Sequence, residues 1–378
     1  MTLSRQSALG LYVHVPFCAR RCEFCAFYEV PPRRADVERY LACAERELAE
    51  LHLPRRAETV FWGGGTPSIL APADLERLAG ATLGASGGTP EEWTVETTPA
   101  TCRADRLAVL KNSGVTRVSI GVQSFDEAIL AGLGRLHTTA QVSEAIGAVR
   151  AAGIGNLNLD LMFALPGQTL EEWERDLRTA IAAGPEHIST YCLTIEESAP
   201  LFARLARGRL SRRTPDEEAA FYERTWDLLE AAGYRQYEVS NFARPGYECV
   251  HNLNTWRMRE WAGVGPAAAS QLGLRRYANA ANLARWAEGV EKGAPARTDE
   301  VILDEATLAT DAVVFGLRMV EGVDLAELAA RFPSHDWAEV ARKASELEGQ
   351  GLAEFDGRSL RLTRRGRLLA DEVALEFF

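Results

Sequence analysis

Leu11-Tyr12-Val13-His14-Val15-Pro16-Phe17-Cys18-Ala19-Arg20-Arg21-Cys22-Glu23-Phe24-Cys25 is the stretch from which the fold is read. Its first part, Leu11–Val15, is a β-branched and aromatic run that predicts a strand. The three cysteines that follow stand in a C-x3-C-x2-C spacing on a loop. Outward from this stretch, similar runs recur at Thr59–Trp62, Trp93–Glu96, Arg117–Val122, Asn156–Met162 and Ile188–Leu193, each followed by a helical pattern. Six strands alternating with helices predict βα units and a parallel sheet, because parallel neighbours need a crossover connection that is almost always right-handed. Thr169 with Glu172 and Thr214 with Glu217 form capping boxes, the second with Pro215 at the first helical position, and Gly153, Gly184 and Gly233 sit where helices stop. Six units in roughly 200 residues predict an α/β fold, a partial (β/α)6 barrel, and not the complete eight-unit form.

After about Asp299 the texture changes. Helices are expected near Thr307–Met319, after Asp324 and near Trp337–Glu348. Then come Leu352–Phe355, an Asp356-Gly357 turn, Leu360–Leu362 and a last helix opened by Thr363. Helices with an Asp-Gly hairpin resemble a winged-helix α+β module. The expected division is residues 1–215 for the partial barrel with its cysteine loop, 216–300 for a barrel-extending segment, and 301–378 for the winged module. A winged module suggests nucleic acid, but its third helix mixes acids with bases and lacks a basic face, which favours a lid or docking role.

Composition narrows the function classes. The chain has 378 residues, 42 Lys+Arg against 53 Asp+Glu, and a net charge of −11. That length is enough for two or three domains and a sizeable core without staples. The acidic balance argues against broad binding to nucleic-acid backbones or anionic membranes. Only Lys111, Lys292 and Lys343 are lysines, and none follows a glycine-rich strand exit. The N-terminal MTLSRQSALG shows no secretory signal, and no run of 18 apolar residues occurs, so a cytoplasmic location is expected. In a reducing compartment, seven cysteines read as free thiols and metal ligands, not as a disulfide framework.

Cys18, Cys22 and Cys25 supply three thiolates from one tight loop. A structural zinc or a closed four-iron cluster takes four protein ligands, so three leave one metal position open, as catalysis requires. Gly63-Gly64-Gly65-Thr66-Pro67 follows the Val60-Phe61-Trp62 strand, where glycines allow positive φ and close approach of backbone to a ligand. It is neither a P-loop nor G-x-G-x-x-G. Glu96, Gln123 and Asp160 lie at or near the ends of three successive strands, where ligands of parallel βα folds bind.

With Phe24 inside it, the cysteine motif resembles the signature of the radical S-adenosylmethionine (radical SAM) superfamily. The surrounding His14-Val-Pro-Phe-Cys narrows this to the group containing oxygen-independent coproporphyrinogen III oxidase and the heme chaperone HemW. The resemblance implies that Cys18, Cys22 and Cys25 hold a 4Fe-4S iron-sulfur cluster. Its open iron would bind S-adenosyl-L-methionine, and an electron from the cluster would cleave the sulfonium to a deoxyadenosyl radical. It places Tyr12, Gly64 and Glu96 near a first S-adenosylmethionine, with the glycine segment holding the methionyl end. Phe24, Gly65, Thr66, Gln123, Arg135 and Asp160 fall near a second, which some members bind.

The run from Tyr237 to Trp256 resembles the heme chaperones over its whole length. Within it His251 is a candidate heme or porphyrin ligand, since a neutral imidazole suits iron and Trp256 offers a flat apolar wall. Two departures stand out. The family pattern His-Asn-x-x-Tyr-Trp has Thr255 in place of Tyr, and Gly-Pro-Gly-Ala-His-Ser becomes Gly265-Pro266-Ala267-Ala268-Ala269-Ser270. Arg204, Arg207, Arg209, Arg212 and Arg213 read as a solvated basic loop, and Trp173 and Trp226 as core packing.

Coproporphyrinogen oxidase activity is not expected. That oxidase carries a longer N-terminal segment and a further cysteine directly after the motif, where this chain has Ala26-Phe27. The resemblance therefore implies a HemW-like heme chaperone whose partners are S-adenosylmethionine, heme or porphyrin, heme-accepting proteins, an electron donor and, transiently, membrane acceptors, without nucleic acid. The alternative is a radical SAM enzyme: porphyrin-modifying, coproporphyrinogen III oxidase-like, or a methyltransferase using two S-adenosylmethionine molecules.

Overall fold

The computed structural model describes residues 8–135, 137–208, 210 and 212–378. Six parallel strands carry the fold: β1 (Leu9–Val15), β2 (Thr59–Gly64), β3 (Glu92–Thr97), β4 (Arg117–Gln123), β5 (Asn156–Phe163) and β6 (His187–Cys192). Each expected strand is present, within a few residues of its expected ends. Alternation along each strand sorts the side chains into two layers. Leu11, Val13, Val60, Trp62, Trp93, Val95, Val118, Ile120, Leu157 and Leu159 are buried in the main core, among the helices. Each such side chain is worth about 1.5–3 kcal/mol of burial. Trp62 meets Trp93 edge to face, with ring centroids 5.3 Å apart. The intervening positions, Tyr12, His14, Glu92, Glu96, Arg117, Ser119, Asn158, Asp160 and Ser189, form the polar inner layer.

The helices begin and end where their chemistry directs. Both capping boxes are formed: the Thr169 hydroxyl accepts from Glu172 N, and Thr214 accepts from Glu217 N. Gly153, Gly184 and Gly233 adopt φ of 70°, 65° and 82° at helix ends. Trp173 and Trp226 are buried, and Trp173 Nε1 donates to the Thr225 hydroxyl at 2.8 Å.

The sheet extends well past the six units. At one edge, β7 (Arg235–Gln236) and β8 (Asn241–Ala243) add antiparallel to β6. At the other, β9 (Glu260–Val264) pairs parallel to β1, and β10 (Ala269–Leu272), β11 (Arg275–Asn279) and β12 (Arg297–Ile302) follow antiparallel. The order is β12-β11-β10-β9-β1-β2-β3-β4-β5-β6-β8-β7, an open sheet among the described residues. The helix Val250–Trp256 crosses between the two edges and packs on β1, β2 and β9.

The C-terminal part has its own core around Leu308, Val313, Leu347, Leu360 and Phe377. Its helices Glu305–Gly316, Leu325–Arg331 and Trp337–Gly349 accompany a small sheet of β13 (Val323–Asp324), β14 (Ala353–Phe355) and β15 (Ser359–Leu362), ordered β13-β15-β14. It leans on the crossing helix, where Phe315 stacks on Trp256 at 6.1 Å. Among the described residues no helix is long and apolar enough to cross a membrane.

Of the basic cluster, Arg209 lies outside the described residues. Arg213 is not a solvated charge. It donates to the carbonyls of Leu165 and Gln168, and its guanidinium lies over Phe221 at 4.8 Å. It pins two loops together.

Candidate functional site

The cysteine loop leaves β1 and is tied at its base. Cys18 N donates to Val30 O at 3.1 Å and Val30 N to Pro16 O at 2.7 Å, which closes residues 18–30 into one excursion. Within it Cys25 N reaches Cys22 O at 3.2 Å, a tight turn, and the Cys18 thiol feels the charges of both Cys22 and Cys25. Glu23 anchors the far end, donating to Leu133 O and accepting from Leu201 N. All three thiols are half-buried. Burial pushes the Cys18 thiol up to about 11, against a hydrogen bond with Thr66 Oγ1 at 3.5 Å, and raises Cys22 and Cys25 as well.

Among the described residues no three His, Cys, Asp or Glu side chains converge as one metal ion requires. Thiolates around a single zinc stand about 3.8 Å apart. Three free, half-buried thiols on one loop are a donor set that fits a cluster, which spreads its ligands over separate irons.

The glycine segment lies against this loop. Gly65 N donates to Val15 O at 2.9 Å and Thr66 N to Phe17 O at 2.8 Å. A Cβ on Gly65 would stand 2.7 Å from Phe17 O, and one on Gly64, at φ 98°, would strike the His14 ring at 2.4 Å. Only glycine permits this contact. His14 is itself fixed, with Nε2 bonded to Tyr28 O at 3.0 Å and Nδ1 to the Tyr12 hydroxyl at 3.2 Å.

Glu96 and Asp160 face each other across the inner layer. Burial and then the Asp160 charge push Glu96 up to about 8. Asp160 is also raised by burial, although Ser119 donates to it at 2.8 Å and Asn158 at 2.9 Å. Two neighbouring carboxyls, eased only in part by the Arg117 charge that reaches both, suit a positively charged ligand.

Beside them, Gln123 adopts φ 70° at a bulge that ends β4. The Arg135 guanidinium lies 5.7 Å from the centroid of the Phe24 ring, and its Nε is buried without a partner. A Cβ on Gly121 would meet Gln123 Nε2 at 3.0 Å and Arg135 Nη2 at 3.3 Å, so both side chains close over that glycine. A half-buried guanidinium whose Nε lacks a partner fits a carboxylate.

His251 lies elsewhere, against the amino-terminal ends of β1 and β2. Its Nδ1 stands 2.9 Å from the Thr59 hydroxyl, and its ring is tilted 35° against Phe61 at 5.3 Å. Burial and then Arg117 lower it to about 4, so it is neutral near pH 7. Glu92 carries the helix that bears it: the carboxylate accepts from Val250 N at 2.8 Å, His251 N at 2.9 Å and the Cys249 thiol at 3.4 Å. Gly10 lies under the ring. About 16 Å of strand, from Gly10 to Val15, separates His251 from the start of the cysteine loop.

One cleft of about 840 Å³ spans that interval, lined by Tyr12, His14, Arg21 and Phe27 at the loop end and by Phe61, His251, Trp261, Thr255, Ala267 and Ala269 at the other. Both departures from the family pattern therefore fall on its wall. The structure gathers Cys18, Cys22, Cys25, Tyr12, Phe24, Gly64, Gly65, Thr66, Glu96, Gln123, Arg135 and Asp160 around the carboxyl ends of the strands, and sets His251 at the opposite end. Thr59, Glu92, Arg117 and Gly121 escape a motif search. Thr59 and Glu92 share the inward alternation of Phe61 and Glu96, and that signal could have found them.

Comparison with known proteins agrees. The Radical SAM superfamily model matches residues 12–180, and the HemN C-terminal domain model matches 303–369. The chain is 34% identical over 370 residues to the heme chaperone HemW of Bacillus subtilis (strain 168), covering 96% of this chain and 97% of that one. It is 36% identical over 374 residues to that of Mycobacterium tuberculosis (strain ATCC 25618 / H37Rv), covering 96% and 93%. It is 33% identical over 384 residues to the mitochondrial radical S-adenosyl methionine domain-containing protein 1 of Bos taurus, covering 97% and 86%. The solved coproporphyrinogen III oxidase (HemN) from Escherichia coli superposes with a TM-score of 0.84 over 99% of this chain and 90% of its own, at 23% identity, a likeness of fold. Fold and cysteine loop thus define the class, a radical SAM protein with a HemN-type C-terminal domain. Within that class the chain belongs to the HemW family.

Proposed function

We propose that this chain binds heme next to a radical SAM cofactor assembly and passes the heme to acceptor proteins. Cys18, Cys22 and Cys25 hold a 4Fe-4S cluster, and Tyr12, Gly64 and Glu96 receive S-adenosylmethionine, its cationic groups meeting the Glu96 and Asp160 carboxyls. When bound, the cluster supplies the electron that opens the sulfonium. Heme occupies the cleft, with His251 as its ligand, Phe61 and Trp261 as apolar walls and Arg21 at the end suited to a propionate. The observation that carries this reading is the single cleft running from the cysteine loop to a neutral imidazole. Phe27, 67% exposed at its mouth, offers an apolar contact for an electron donor or heme acceptor. Seven free thiols suit the reducing cytoplasm.

Anaerobic reconstitution followed by heme titration tests the proposal. A shifted Soret band that His251→Ala abolishes is expected; no shift, or one indifferent to that substitution, overturns the heme assignment.

The unpaired Arg135 Nε, next to Gln123 and Phe24, favours a second reading. There Phe24, Gly65, Thr66, Gln123, Arg135 and Asp160 receive a second S-adenosylmethionine, and the chain is a methyl-transferring or porphyrin-modifying enzyme. Reduced protein would then produce deoxyadenosine and S-adenosylhomocysteine together. Finding neither removes it.

A further inference from the structure

The two ring nitrogens of His251 have different surroundings. Nδ1 faces the Thr59 hydroxyl at 2.9 Å, while Nε2 has no hydrogen-bond partner among the described residues and keeps access to the cleft that the ring lines. The ring is held from three further sides. Phe61 lies against it, Glu92 fixes the backbone N–H of residue 251, and a Cβ on Gly10 would come within 3.0 Å of Cε1. The other ligating side chains of the cleft are committed. Both nitrogens of His14 are bonded, the Tyr12 hydroxyl is spent on His14, and the Tyr28 hydroxyl accepts from Leu283 N at 2.6 Å.

An imidazole that binds a metal through Nε2 must carry its proton on Nδ1, and a buried N–H without an acceptor is costly. The Thr59 hydroxyl makes no other hydrogen bond among the described residues, so it can donate to Nδ1 while the site is empty and rotate to accept Nδ1–H when Nε2 takes a metal. We propose that Thr59 is the positioning residue for His251, accepting Nδ1–H so that Nε2 meets the cleft as a lone pair and ligates the iron of a bound porphyrin. This rests on the heme reading above and adds to it the ligating atom and the residue that selects it.

The test compares the full-length chain with its His251→Ala, Thr59→Val, Thr59→Ala and Thr59→Ser variants, by heme titration and by the midpoint potential of the bound heme. His251→Ala should lose the Soret shift. Thr59→Val should keep it but bind roughly 10–100-fold more weakly, and at a raised potential, because the ligand loses electron density when its N–H loses an acceptor. Thr59→Ser should restore both. Thr59→Ala, which also lacks the hydroxyl, makes the same test should valine fail to pack. If His251→Ala binds heme like the native chain, the heme reading falls. If His251→Ala loses heme while the hydroxyl-free variants match the native chain in affinity and potential, the role of Thr59 alone is overturned.

Discussion

The two ends of β3 carry one glutamate each, on the same inward face, and they are used in opposite ways. Glu92, at the amino end, is saturated: two backbone N–H groups and a thiol donate to it, and the Arg117 charge lies nearby. Glu96, near the carboxyl end, is frustrated, pushed toward its neutral form by burial and by Asp160. The lower end is built to hold one helix still and leave one nitrogen unspent. The upper end is built from glycine backbone, half-buried thiols, two carboxyls raised by burial and an arginine Nε without a partner, groups that a ligand would complete. Satisfied polar groups mark scaffolding, and unsatisfied ones mark where something binds.

The strongest way to break this comparison is at the upper end. Cys18→Ala should abolish the visible absorbance of the reconstituted cluster while leaving the thermal unfolding of the metal-free chain and the His251-dependent Soret shift in place. Loss of both signals together would mean that the two ends are not separable. At the lower end, Glu92→Ala removes the acceptor of two buried N–H groups and a counter-charge of Arg117, and should cost about 4 kcal/mol in denaturant unfolding. A cost under about 1 kcal/mol would show that the helix does not depend on it.

Glu96 sharpens the contrast through pH. Its folded value of about 8 lies above the ordinary carboxyl range, so the folded chain keeps a proton that the unfolded chain has released. The stability it contributes is therefore full in acid and lost as pH rises through about 8. Glu96→Gln, always neutral, should gain on the native metal-free chain by about 4 kcal/mol between pH 5 and pH 9, while weakening S-adenosylmethionine binding. A parallel pH dependence in the two chains would contradict the burial of that charge. The smallest effect concerns the cleft wall: Thr255→Tyr restores the family's aromatic residue and should tighten heme a few-fold, read by Soret titration.

Much of the upper end is legible in the sequence because it is local. A cysteine loop leaves one strand, a glycine turn leaves the next, and the six β-branched runs announce themselves by composition. The capping boxes at Thr169 and Thr214 are equally local. The lower end is not. Glu92 and Thr59 reach His251 across gaps in the chain that no motif spans, and nothing in Glu-Trp-Thr-Val-Glu tells which glutamate meets a helix from a distant segment. β9 to β12 are also hard to see, since Glu260–Val264 and Arg275–Asn279 mix arginine, alanine and glycine in place of β-branched alternation. They become strands because β1 offers an unpaired edge. Arg213 shows the same limit, since its charge suggested solvent and its packing is set by Phe221 and two carbonyls.

The pairing of Leu9 with Glu260 has a consequence for how the chain is made. β1 precedes its partner β9 by about 250 residues, so one of its edges stays bare while that length of chain is made. The edge of β6 waits for residues 241–243. The ribosome therefore releases a six-stranded sheet open on both sides, a template for pairing with other chains. The segment from β7 to β12 seals both edges as it arrives, and the helix carrying His251 is laid down between the two closures. The lower end of the cleft is thus completed late, by the same stretch that ends the exposure of the sheet.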